Sequence, residues 1–124
     1  MKIFVWYLKK GVVLTKDNLI KRNWRGSNKC CFCINKETIQ HLFIECPFAR
    51  LAWWTIQYAF NLSPPMSIAN MFGNWLAGIP KILKSQLLVG ASALCWSIWL
   101  CRNDVVFDKK TITNPLQVII LSRH

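Results

Sequence analysis

Four metal-binding side chains fall within seventeen residues of this chain: Cys30, Cys33, His41 and Cys46, in the pattern C-x2-C-x7-H-x4-C. Zinc takes four thiolate or imidazole donors in a tetrahedron, and two cysteines separated by two residues suit a tight turn that aims both sulfurs at one ion. A segment that must converge on a single point has little freedom to be anything but a short loop with fixed flanks. Free cysteine is also a common core residue, so it is the spacing, not the residue types alone, that argues for a metal.

The flanks agree with that reading. Thr38 suits a helix N-cap, which places His41 in the first turn or two of the helix that follows. His41 and Cys46 are five residues apart, roughly 140° round an ideal α-helix, and so not on one face. Pro47 disfavours helical geometry at Cys46 and suits the first position of a new helix. A chain that breaks at Cys46 swings its sulfur back to the metal. Cys31 leaves one ambiguity, because a C-x-C pair of Cys31 and Cys33 is the alternative to Cys30 and Cys33; the two-residue spacing is the commoner zinc geometry.

These residues also carry a family resemblance. Cys30-Cys31-Phe32-Cys33, the run Glu37-Thr38-Ile39-Gln40-His41-Leu42-Phe43, then Cys46, Ala49 and Trp53 resemble the zinc-binding domain of plant non-LTR (LINE-type) retrotransposon reverse transcriptases. Upstream, Phe4-Val5-Trp6 and Leu14-Thr15-Lys16-Asp17-Asn18-Leu19 with Arg22 resemble its lead-in, and Trp96 to Asn103 with Phe107 resembles the segment that follows it. The resemblance implies a helix over residues 2–10, stopped by Gly11. It also implies a module that sits between a polymerase and, where present, an RNase H domain, neither of which this sequence includes. Residues 1–60 are expected to form the zinc-binding domain. Residues 61–124 are expected to be a helical extension, leading toward the RNase H-like position.

Charge is distributed unevenly. The chain carries a formal +11, from sixteen Lys and Arg against five acids. Residues 1–50 hold ten Lys/Arg and three acids, residues 51–80 no charge at all, and residues 81–124 six Lys/Arg and two acids. Excess positive charge favours a polyanionic partner. Its densest stretch precedes the metal loop, where Lys16, Lys21, Arg22, Trp24, Arg25 and Lys29 combine phosphate-binding groups with a stacking ring, the combination that grips single-stranded nucleic acid. A solvated outer face of a helix starting after Thr15, with Leu19, Ile20 and Trp24 as its apolar stripe, is the plainer alternative.

The rest of the chain reads as helices. Residues 47–60 are strongly apolar and end before Pro64-Pro65, which cannot continue a helix. Ser67 is placed to cap a short helix through Trp75 to Ala77, closed by Gly78. Pro80 suits the start of a long helix to about residue 107. Seventeen residues of it, Ser85 to Cys101, carry no charge. A membrane span needs about twenty predominantly apolar residues, and Ser85, Gln86, Gly90, Ser92 and Ser97 lower this segment's hydrophobicity, so a buried helix is expected and a membrane is not expected as a partner. Trp96 and Trp99 are expected on one buried face, packed against residues 47–60. An apolar run, Leu116 to Leu121, follows Pro115.

The fold class expected is therefore all-α: a small helical domain with a Cys3His zinc-binding loop, followed by a long buried helix. No catalytic residues emerge, because the few acids form no metal-holding pair and no Gly-rich phosphate loop is present. A zinc with four protein ligands has no open position for water. No secretory signal is visible, so the six cysteines suit a reducing, intracellular compartment, nuclear or cytoplasmic. The expected function is a non-catalytic zinc-binding module of retroelement origin, without a small-molecule substrate, that binds RNA or single-stranded DNA. The alternative is a structural connector, or a decayed fragment, whose partners are the polymerase or RNase H domains of the parent element.

Overall fold

A computed structural model describes residues 1–107 of the chain. The element order is α1 (Lys2–Lys10), α2 (Lys16–Lys21), a π-helical turn (His41–Glu45), α3 (Pro47–Phe60), α4 (Ile68–Phe72) and α5 (Lys81–Phe107). The fold is all-α, with one isolated antiparallel bridge, Lys29 to Lys36, in the loop that carries the first cysteines.

Local chemistry sets most boundaries. Gly11 closes α1 in a left-handed conformation (φ 71°), its N–H donating to Leu8 and Tyr7 carbonyls, a geometry glycine adopts without steric cost. Thr15 opens α2 from an extended conformation, although its hydroxyl meets the Asp17 carboxylate instead of a backbone N–H. Pro47 begins α3, Ser67 accepts from the Asn70 N–H at the start of α4, and the Pro80 carbonyl accepts from Lys84 at the start of α5.

One hydrophobic cluster joins the two halves of the chain. Phe4 and Leu8 of α1, Leu42 and Phe43 of the π turn, Ala49, Ala52 and Trp53 of α3 and Ala91, Leu94, Cys95, Ile98 and Cys101 of α5 are all buried in it. By length and composition α5 is also apolar enough to cross a membrane; in this fold one side of it lies in the cluster.

Three expectations need correction. The short helix after Ser67 ends at Phe72, not at Ala77, because Trp75 turns away to donate its indole N–H to the Ser63 carbonyl at 2.7 Å and to meet the Trp53 ring edge-on. Trp96 and Trp99 are half-buried, not fully buried; the rings they meet are Phe4, with centroids at 5.2 and 6.3 Å, and, for Trp99, Phe43. The apolar stripe expected on α2 is not buried: Leu19 is half-buried, and Ile20 and Trp24 are exposed. The run Leu116 to Leu121 lies outside the described residues.

Candidate metal centre

The segment from Asn28 to Glu37 folds as a small hairpin. Cys30 N–H donates to the Asn35 carbonyl and Glu37 N–H to the Asn28 carbonyl, each at 2.8 Å. This presents Cys30 and Cys33 on one side of the turn. Thr38 caps the helical segment that follows, its hydroxyl accepting from the His41 N–H at 3.0 Å, as the sequence predicts.

The geometry between His41 and Cys46 is one the sequence does not disclose. The Cys46 N–H bonds the His41 carbonyl at 2.6 Å, an i to i+5 bond that defines a π turn; such turns often occur at functional sites. The wider turn stacks Cys46 over His41, resolving the misalignment of an ideal α-helix. Cys46 itself is extended (φ −56°, ψ 137°), so the break that Pro47 imposes is present as well. Pro47 has no N–H for the Phe43 carbonyl four residues back. That carbonyl is buried, and Trp53 Nε1–H reaches it at 2.6 Å.

As a result, donor atoms of Cys30, Cys33, His41 and Cys46 all lie within 4.8 Å of one another. Cys30 Sγ is 3.9 Å and Cys33 Sγ 4.0 Å from Cys46 Sγ, and Cys33 Sγ is 3.0 Å from His41 Nε2. A zinc tetrahedron with Zn–S bonds of about 2.3 Å has S···S edges of about 3.8 Å. The sulfur spacings fit that figure, and the donor set is one that zinc favours. Cys31 is not among the four.

Hydrogen bonds among neighbouring thiols shift their acidity. The Cys30 thiol is held far below the usual range, first by a hydrogen bond from the Cys31 thiol, then by one from Cys46, with the Phe32 N–H also directed at its sulfur. Cys31 and Cys46 are pushed up, each chiefly by donating to the Cys30 sulfur and then by burial. The donor sulfurs of Cys30, Cys33 and Cys46 lie too close together to ionise at once unaided; a Zn²⁺ held among them would allow it. Phe32 and Phe48 stack nearly parallel, 4.2 Å between centroids, and join the loop to α3.

Residues 1–53 match the family model described as zinc-binding in reverse transcriptase. No curated protein and no solved structure matches the chain. The matched segment thus holds a Cys3His cluster able to bind Zn²⁺, and four protein donors leave no open position on such an ion.

The match ends at Trp53, but the module's contacts do not. Arg102, far along α5 and 1% exposed, sends Nε and Nη2 to the Glu37 carboxylate at 2.7 to 3.2 Å, and Glu37 is 0% exposed. The same carboxylate accepts the Lys16 backbone N–H at 2.8 Å. Arg102 also lies over the Trp99 ring, 4.6 Å from its centroid. Glu37 stands midway between Cys33 and His41 in sequence, so the ion pair fastens the metal loop to both α2 and α5. Sequence reasoning missed the pair. Its signal was the one arginine ending a seventeen-residue uncharged run, since a charge buried beside such a run needs a partner.

The basic residues singled out from the sequence are placed differently from one another. Lys21, Arg22, Trp24, Arg25 and Lys29 are exposed, whereas Lys16 is half-buried and its ammonium is bonded to the Lys29 carbonyl. The Trp24 ring lies so close over Gly26 that a Cβ there would collide with it.

Proposed function

We propose that the chain is a zinc-stabilised module of retroelement reverse-transcriptase origin, of the plant non-LTR type, that binds RNA or single-stranded DNA in a reducing intracellular compartment. The observation that supports binding is uncompensated charge. Lys21, Arg22, Arg25 and Lys29 are exposed between α2 and the metal loop, while both acids of this region are engaged internally, Asp17 by Thr15 and Glu37 by Arg102. Cations without local partners attract phosphates and release the counterions condensed on them.

The test is binding of a single-stranded oligonucleotide at several salt concentrations. Three phosphate contacts, by Lys21, Arg22 and Arg25, give an expected log–log slope of about −2, from about −0.7 per contact. Replacing the three by Gln is expected to flatten the slope at unchanged zinc content. Absence of salt-dependent binding by the natural chain would refute the reading.

A second reading, a protein-binding connector for polymerase or RNase H domains, is favoured by the outer face of α3. There Leu51, Trp54 and Tyr58 are exposed, Tyr58 to 84%, beside a groove of about 910 Å³ bordered by Pro64 and Pro65. Exposed apolar surface of this kind marks interaction sites.

A further inference from the structure

We propose that the groove between α1, the segment Val12–Leu14 and α5 receives an unstacked base of a single-stranded nucleic acid, with Arg22 holding the adjoining phosphate. The proposal rests on the nucleic-acid reading above and gives it a location that the basic stretch alone does not.

Four grooves in the described residues are open and largely apolar, and charge and aromatic lining distinguish them. The one between α1 and α4, about 550 Å³, carries Lys9 and Lys10, but Phe72 is its one aromatic ring and Lys9 Nζ already lies over it. The groove beside α3 carries Glu45 and Arg50 together. The cleft between α3 and α5, about 220 Å³, is lined by Ile56, Phe60, Leu83, Leu87 and Leu94 with no charge. The groove over α1, about 590 Å³, is lined by Tyr7, Val12, Leu14, Trp96 and Trp99, and its one ionised side chain is Arg22. None of the acids Asp17, Glu37, Glu45 or Asp104 lines it. Arg22 is exposed and, among the described residues, the only salt bridge is Arg102 to Glu37, so the Arg22 guanidinium has no carboxylate partner among them.

A guanidinium beside aromatic walls suits a planar aromatic group joined to a negative charge. Tyr7 is exposed to 44% and is backed by Trp6, 5.3 Å away between centroids, with Lys10 Nζ near the Trp6 ring. Its ring is therefore supported from one side and open on another, as a stacking platform requires. Val12 and Leu14 are also exposed, which leaves apolar surface for a base to cover. Base–aromatic stacking is tolerant of sequence because every base has a π face, and the strand must be single so that a base is free to leave its neighbours. Arg22 is placed at the C-cap of α2, next to Lys21 and three residues before Arg25 in sequence.

The test compares a ten-nucleotide oligo-deoxyadenylate with an abasic strand of equal length and phosphate number, by fluorescence anisotropy of a terminal dye. The natural chain is expected to prefer the oligo-deoxyadenylate by about 5- to 150-fold, the range that stacking one base confers. Tyr7→Ala is expected to remove that preference while leaving affinity for the abasic strand and zinc content unchanged. Arg22→Gln is expected to weaken both strands and to reduce the salt slope by about 0.7. Should Tyr7→Ala lose zinc or helicity, Val12→Trp fills the groove from an exposed position and is expected to remove the same preference. A preference that survives both substitutions, or that disappears instead with Trp24→Ala, overturns the groove. Equal, salt-dependent binding of both strands by the natural chain overturns the groove and leaves the proposed function standing. No salt-dependent binding of either strand overturns both.

Discussion

Each of the six cysteines has a distinct environment, and that separates their chemistry. Cobalt(II) bound in place of zinc is expected to give a tetrahedral thiolate spectrum that Cys33→Ser weakens and Cys31→Ser leaves intact, because Cys31 is outside the four-donor set. Loss of the spectrum in Cys31→Ser but not in Cys30→Ser would reassign the ligand by one residue. Burial alone pushes Cys95 up to about 12, and burial followed by the nearby Asp104 charge pushes Cys101 up to about 11. The ordinary value is 9.0. Between these values the folded chain holds protons that the unfolded chain has released, so stability falls as pH rises from about 9 towards 11–12 and is unaffected below 9. Replacing both residues by Ala, measured by urea denaturation from pH 7 to 11, is expected to reduce that alkaline loss. If the pH dependence is unchanged, other groups cause it.

Among the elements, the π turn is the one the metal depends on, and Trp53 supports it. Trp53→Phe keeps an aromatic ring but removes the donor to the Phe43 carbonyl. An unsatisfied buried acceptor costs about 1–3 kcal/mol, in addition to the smaller ring's packing loss, and chelator competition is expected to show weaker zinc retention. Retention equal to that of the natural chain would mean that the carbonyl finds another donor. The sequence disclosed those features of the elements that are local to the backbone. Gly11, Thr38, Pro47, Ser67 and Pro80 act through a permitted φ, a hydroxyl acceptor or a missing N–H, and each stands at the boundary expected of it. The four clustered donors were legible for the same reason, being close in sequence. The π turn was not, because its widening depends on a tertiary donor, Trp53, ten residues away from the carbonyl it satisfies. Nor was the seating of Trp96 and Trp99: an apolar stripe says that a face is covered, not that Phe4 covers it.

At the scale of the whole molecule, the Glu37–Arg102 pair determines how much chain the metal loop requires. Removing one member of a buried pair leaves the other charged and unpartnered, at a cost of about 3–5 kcal/mol. Arg102→Met is expected to cost about that much in urea denaturation, and combining it with Glu37→Gln is expected to recover much of the loss, since an uncharged pair carries no stranded ion. A single-variant cost below about 1 kcal/mol would show that water reaches the carboxylate. For the same reason a fragment ending at residue 60 exposes Phe4, Phe43 and the Glu37 carboxylate together, although it contains all four metal donors.

The pair joins residues 65 apart in sequence, and this sets an order on folding. At synthesis rates of about 5–20 residues per second, roughly 3–13 s separate the appearance of Glu37 from that of Arg102. The metal loop closes over only seventeen residues, a short-range event that can be complete while α5 is still being made. During that interval the nascent chain holds a formed loop with an anion waiting at its base and an aromatic surface uncovered. Arrival of α5 neutralises the anion and covers Phe4 and Phe43 in one step. The most aggregation-prone moment for this segment is therefore the interval after the metal loop closes and before α5 docks.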